Sequence, residues 1–127
     1  MNRMKLMAGH QQVMPYLVIE KADEFVEFIK RLFNAQEMIR RVDKNHKILH
    51  SEVLIGTSTL IITEANKNYP AEQISMYIYV NDSDQVYYRG IEMGATSVMA
   101  PMEENDDTRV AGLLDPFGNT WWLTTLQ

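Results

Sequence analysis

The sequence contains no cysteine, which excludes disulfides, thiolate catalysis, zinc fingers and iron–sulfur clusters. Its three histidines leave an imidazole–carboxylate metal site open. No stretch approaches the roughly 18 unbroken apolar residues that a membrane helix needs, so no membrane partner is expected. Met1 to Gly9 carries neither the apolar run nor the small-residue cleavage site of a secretory signal, and a cytoplasmic protein is expected. An excess of positive charge is also missing. The formal net charge is −5 at pH 7, which argues against a nucleic-acid partner. The nearest thing to a basic patch, Lys30-Arg31 with Arg40-Arg41, is short and reads as solvated surface. What is present, 127 residues of which 46% are hydrophobic, suits one compact domain with an ordinary core.

The chain repeats itself. Met14-Pro15-Tyr16-Leu17-Val18 returns sixty-one positions later as Ser75-Met76-Tyr77-Ile78-Tyr79, and Thr59-Leu60-Ile61-Ile62-Thr63 returns as Thr120-Trp121-Trp122-Leu123-Thr124. In the first half, Val13 to Ile19 reads as a strand with a proline near its start. A helix follows, which Asp23 can cap, with Ala22, Phe25, Ile29, Leu32 and Phe33 at the spacing of one buried face and Asn34 at its end. Gln36 to Val42, Lys47 to Ile55 and Leu60 to Glu64 read as three strands, the first two joined by the turn Asp43-Lys44-Asn45.

After a polar linker from Ala65 to Gln73 the order recurs. Ile74 to Val80 is a strand, Asp82 or Ser83 caps a helix, and Gly94 stops it. Val86, Gly90 and Met93 stand where Phe25, Ile29 and Leu32 stood. Ala95 to Met102, Thr108 to Leu114 and Thr120 to Leu126 are the last three strands, with Glu103 to Asp107 as an acidic connection and Asp115-Pro116-Phe117-Gly118 as a turn. The expectation is an α+β fold: residues 1–127 form one domain of two tandem βαβββ modules, about 12–64 and 74–126, building a cupped mixed sheet with the helices outside.

These residues carry a family resemblance. The duplicated order, the first-strand Pro-Tyr-Leu, Phe-Asn-Ala at the helix end, His-Ser-Glu at 50 to 52, Gly-Ala at 94 to 95 and Asp-Pro-Phe-Gly-Asn-x-Trp at 115 to 121 resemble the glyoxalase/bleomycin resistance/dioxygenase proteins, the vicinal oxygen chelate superfamily. The branch it resembles is the PhnB-like, demethylubiquinone methyltransferase-like one. The resemblance runs from about Val13 to Leu126 and speaks for the fold, not for one reaction, because the superfamily hosts isomerases, dioxygenases, thiol transferases and drug binders.

Strand alternation separates two faces. The apolar set Pro15, Leu17, Ile19, Leu60, Ile62, Met76, Ile78, Val80, Trp121 and Leu123 should cover the helices. The opposite set, which includes Tyr16, Val18, His50, Glu52, Tyr77, Tyr79, Arg109, Trp122 and Thr124, should line the cup. The resemblance implies metal ligands at the first and last strand of each module, which fall on Met14, Ile61, Ser75 and Trp122. None is a credible ligand for a hard or borderline divalent cation, so no metal and no cofactor are expected. A register slip would bring Glu64 to the place of Ile61, but it would also turn the strand's apolar set outward.

Within the cup, His50 and Glu52 point the same way, as a general base with its partner or as a hydrogen-bonded pair that orders the sheet. Arg109, which mirrors His50 to within about two residues of the repeat, is either an anion clamp or the partner of Glu52 or of the Glu103 to Asp107 connection. Tyr16, Tyr77 and Tyr79 wall the cavity or orient a ligand, and Trp122 packs against it. His10 and His46 fall in a tail and a turn. The scattered methionines read as gap-filling, not as a copper site. Three functions follow. The first is a metal-free binding protein holding a small molecule in an aromatic cup. The second is a metal-independent isomerase or lyase with Glu52 or His50 as base and Arg109 stabilising an oxyanion. The third is a regulatory or interaction domain whose cup is closed by its own side chains. A two-fold homodimer is what the resemblance implies for assembly.

Overall fold

The computed structural model describes residues 3–127 and contains one five-element order twice. Tyr16–Ile19 (β1), Ala22–Phe33 (α1), Gln36–Val42 (β2), Ile48–Ile55 (β3) and Ser58–Glu64 (β4) are followed by Ser75–Tyr79 (β5), Ser83–Glu92 (α2), Thr96–Asn105 (β6), Thr108–Leu114 (β7) and Thr120–Leu126 (β8). The chain divides into two compact units, Met1–Glu72 and Gln73–Gln127, the break falling inside the polar stretch read as a linker. Each unit holds a mixed four-stranded sheet, in the order β1-β4-β3-β2 in the first and β5-β8-β7-β6 in the second. The first and last strands of each set lie parallel and the remaining pairs antiparallel. This is the α+β fold of two tandem βαβββ modules.

In the first unit, α1 lays Ala22, Phe25, Val26, Ile29 and Leu32 against one face of the sheet, and all five are fully buried. Leu17, Ile19, Val53, Leu60 and Ile62 answer from the strands. Each of the larger side chains in this layer contributes roughly 1.5–3 kcal/mol when removed from water, so this layer is what makes the module stable. Pro15 is exposed and lies before β1, which starts at Tyr16 because Val13 and Met14 find no ladder partner; only the Pro15 carbonyl reaches the sheet, accepting from the Ile61 amide at 2.9 Å.

The start of α1 differs from the expected Asp23 cap. Lys21 is the N-cap, in the left-handed region at φ 60°, and Asp23 lies in the first helical turn. The free amides of Lys21 and Ala22 donate instead to the Glu64 carboxylate at the end of β4, at 3.0 and 2.9 Å. A carboxylate at a helix N-terminus also meets the positive end of the helix dipole. The second unit repeats the arrangement sixty-one residues on, where the Ser83 amide donates to Thr125 Oγ1 at 2.8 Å. There Asp82 caps α2, its side chain accepting from the Gln85 amide.

Two further expectations change in the second unit. β6 runs on to Asn105, so Glu103 and Glu104 belong to a strand, and only Asp106 and Asp107 remain as the hairpin turn. The pairing of β6 with β7 breaks register at three places, between Ser97 and Met99, between Met99 and Met102, and between Glu103 and Asn105; the second spans Pro101, and β6 is the edge strand of its sheet, where a missing amide is tolerated. The second change concerns alignment of the repeats. Four residues separate the paired Leu54 and Thr59, whereas five separate the paired Leu114 and Thr120. β8 therefore follows β4 by sixty-one positions, but β7 follows β3 by sixty.

Candidate functional site: a buried carboxylate and an aromatic sheet face

In the first unit Glu52 pairs with Ile61 across β3 and β4, on the sheet face opposite α1. It is 5% exposed, and an ionised carboxylate in such a place needs partners for both oxygens. His50, two residues along the strand and so on the same face, places Nε2 2.8 Å from Oε2. His10 places Nε2 2.8 Å from Oε1. A carboxylate ion only accepts hydrogen bonds, so both rings carry their proton on Nε2. The hydrogen bond from His50 lowers the Glu52 pKa, burial pushes it up, and the bond from His10 lowers it again; the balance lies below the ordinary glutamate value.

His10 is the residue that sequence reading left in a tail. Its segment is pinned to β4. The Gln11 side-chain oxygen accepts from the Thr59 amide at 2.9 Å, and Thr59 Oγ1 donates to the Gly9 carbonyl at 2.6 Å. No periodicity marks this segment, and nothing in its spacing links position 10 to position 52.

In the second unit, the place of Glu52 is taken by Gly112, and that of Ile61 by Trp122; Gly112 and Trp122 are paired across β7 and β8. A Cβ on Gly112 would lie 2.7 Å from Cζ3 and 3.0 Å from Cε3 of Trp122. Glycine thus lets the indole lie flat on the sheet. Tyr77 pairs with Trp122 and Tyr79 with Thr124 across β5 and β8. The two tyrosines are 60% and 64% exposed, and their rings meet edge-on, centroids 5.8 Å apart at 65°. In the first unit Tyr16, 60% exposed, pairs with Ile61.

Arg109 does not stand where His50 stands. Its counterpart is Leu49, because β7 follows β3 by sixty positions, and a one-residue shift moves a strand residue to the other face. Arg109 pairs with Thr125, on the helix-covered side of the sheet. There Asp84 of α2 takes it in a bidentate pair, 2.7 Å to Nε and 2.9 Å to Nη2, and Glu103 accepts from Nη1 at 3.3 Å. Asp84 holds the guanidinium's pKa above its ordinary value, and the pairing lowers that of Asp84. The expectation of a cup-facing Arg109 is therefore corrected, while its expected pairing with the acidic connection is met in Glu103. His46 occupies the turn before β3 at φ 65°.

The superfamily resemblance points to a metal at positions 14, 61, 75 and 122. Their donor set is a thioether, a hydrocarbon, a hydroxyl and an indole, which does not fit a hard or borderline divalent cation. The slipped alternative, Glu64, has its carboxylate on the α1 amides. Among the described residues no group of three or more histidines or carboxylates is arranged to hold a metal ion, and no helix is long and apolar enough to cross a membrane.

No family model matches the chain. Among curated sequences, it is similar to the uncharacterised protein Mb0911c of Mycobacterium bovis, 24% identical over 120 residues that span 86% of this chain and 79% of the other. Among solved structures, a PhnB protein of Bacillus cereus superposes with a TM-score of 0.75 at 18% identity, covering 91% of this chain and 99% of the other. TioX of Micromonospora sp. ML1 gives 0.72 at 18% identity, with 92% and 97% covered. A member of the glyoxalase/bleomycin resistance protein/dioxygenase superfamily from Sphaerobacter thermophilus gives 0.64 at 16% identity, with 91% and 98% covered.

Proposed function

We propose that this chain, which has the fold of the glyoxalase/bleomycin resistance/dioxygenase superfamily, is a PhnB-like protein that binds a small amphipathic molecule without a metal centre. The aromatic face of the second sheet is the binding surface. The observation that carries this reading is the exposure of Tyr77 and Tyr79 beside a Trp122 for which Gly112 clears the sheet. Large aromatic rings left in contact with water retain most of their burial energy for a partner, and a tyrosine brings a hydroxyl with each ring. Side chains exposed to this degree do not serve as core, which speaks against a face closed by its own residues.

The catalytic alternative finds less support. Both oxygens of Glu52 are engaged by imidazoles, so it is a weak base that positions His10 and His50. Arg109 is committed to Asp84, and an oxyanion clamp needs its donors unspent. Assembly as a two-fold homodimer in the cytoplasm remains part of the proposal, since self-complementary pairing is the usual oligomeric solution.

The test is a titration of the protein with 2-naphthol followed by calorimetry. Saturable binding that weakens at least fivefold in Tyr77→Ala, Tyr79→Ala and Trp122→Ala supports the reading. Binding that is absent, or indifferent to all three substitutions, overturns it.

A further inference from the structure

We infer that Thr124 is the polar anchor of the aromatic face, and that it forms one hydrogen bond with a hydroxyl or carbonyl group on the aromatic ligand. The inference rests on the binding reading above and names the chemistry of its ligand. Three buried side-chain groups lack a hydrogen-bond partner among the described residues: Ser83 Oγ, Asn119 Nδ2 and Thr124 Oγ1. The first belongs to the opening turn of α2. The second belongs to the Asp115 turn, where the other side-chain atom of Asn119 already accepts from the Ile74 amide at 3.0 Å. Only Thr124 lies on the sheet face that carries the aromatics.

Its position follows from the ladder. Trp121 and Leu123 are buried on the helix side at 1% and 0% exposure, so Trp122 and Thr124 project from the opposite face. Thr124 is paired with Tyr79 on one side and Val110 on the other, and it is only 1% exposed. Val110 offers no hydrogen bond, and the Tyr79 hydroxyl sits at the far end of an exposed ring. A buried hydroxyl without a partner costs roughly 1–3 kcal/mol. A strand-forming valine would fill the same volume without that cost, so the hydroxyl is destabilising unless something else meets it. Tyr79, the ladder partner of Thr124, is 64% exposed, and in this proposal the ligand reaches Thr124 from this side while stacked on Trp122. The ligand class is an aromatic ring bearing one compact hydrogen-bonding group. A ring without such a group would stack equally well and leave the hydroxyl unmet.

The experiment compares 2-naphthol with 2-methylnaphthalene on wild type, Thr124→Val and Thr124→Ser by calorimetry, with thermal melts of each protein. We expect Thr124→Val to lose about five- to tenfold in affinity for 2-naphthol and to leave 2-methylnaphthalene unchanged. Thr124→Ser restores 2-naphthol binding, and the valine variant melts at or above the wild-type temperature. Equal losses for both probes, or no loss for 2-naphthol, would overturn the anchor while leaving the binding reading intact. A markedly lower melting temperature in Thr124→Val would show that the hydroxyl has a structural partner, and would overturn it too. If wild type binds neither probe, the binding reading itself fails and the anchor with it.

Discussion

His10 Nε2 and Glu52 Oε1 are 2.8 Å apart, although 42 positions of sequence separate them. The contact fastens the segment before β1 onto the face of the first sheet and leaves neither oxygen of Glu52 without a donor. Removing His10 strands one oxygen of a carboxylate whose side chain is 7% exposed. His10→Ala should therefore cost about 1–3 kcal/mol, read from urea unfolding, and should speed hydrogen exchange at the Thr59 amide, which Gln11 covers. An unchanged midpoint with unchanged Thr59 protection would mean that the contact fastens nothing.

Glu52 also gives the fold a pH dependence of definite sign. Its folded pKa lies below the ordinary value of 4.5, so the folded state favours the ion. The stabilisation is fully present above that ordinary value and is lost as pH falls through the lower folded one. Unfolding midpoints collected from pH 6 down to pH 3 should fall less steeply in Glu52→Gln than in wild type. Parallel curves would place the acid sensitivity elsewhere.

Gly112 and Trp122 should behave as one unit. A methyl at 112 would press on the indole at 2.7 Å, so Gly112→Ala must lift the ring, at a cost of about 1–3 kcal/mol for overpacking, and shift the tryptophan emission. In a Trp122→Leu background the same substitution should be close to neutral. A double-mutant cycle with no coupling would contradict this account.

Asp115 anchors the turn that precedes β8. Its Oδ1 accepts from the Phe117 and Asn119 amides at 2.8 and 2.9 Å, and its Oδ2 accepts from Trp121 Nε1 at 2.8 Å. Burial pushes its pKa up against the pull of these bonds, a contribution present below the ordinary value and lost as pH rises through the raised one, opposite in sign to that of Glu52. Asp115→Asn turns an amide toward one of the three donors and should cost about 2 kcal/mol at pH 7, measured by thermal or urea unfolding. A cost near zero would show that the turn holds without the carboxylate.

Much of this fold was legible because its signals are local. The spacing of Phe25, Ile29 and Leu32 names the buried face of α1, and all three are fully buried. Asn34 and Gly94, both at positive φ, mark the helix ends by a conformation few other residues accept. Asp82 was recognisable as a cap because its side chain bonds an amide three residues away. The cap of α1 was not, since the carboxylate that serves Ala22 comes from Glu64. The candidate site divides in the same way. His50 with Glu52, and Tyr77 with Tyr79, follow from alternation along single strands, while His10 and Asp84 reach their partners through the path of the chain.

The sequence by itself determined the repeat, the order of the elements, the buried face of α1 and the apolar face of the first and last strand of each module. Those depend on periods of two and 3.6 residues that are written along the chain. Only the tertiary structure decided register and long-range pairing. One additional residue in the Asp115 turn reverses the face of Arg109 relative to His50, because side chains alternate at every step. The pairing of His10 with Glu52 and of Glu64 with the α1 amides was likewise decided by where folding brings distant segments, a quantity that no local pattern encodes.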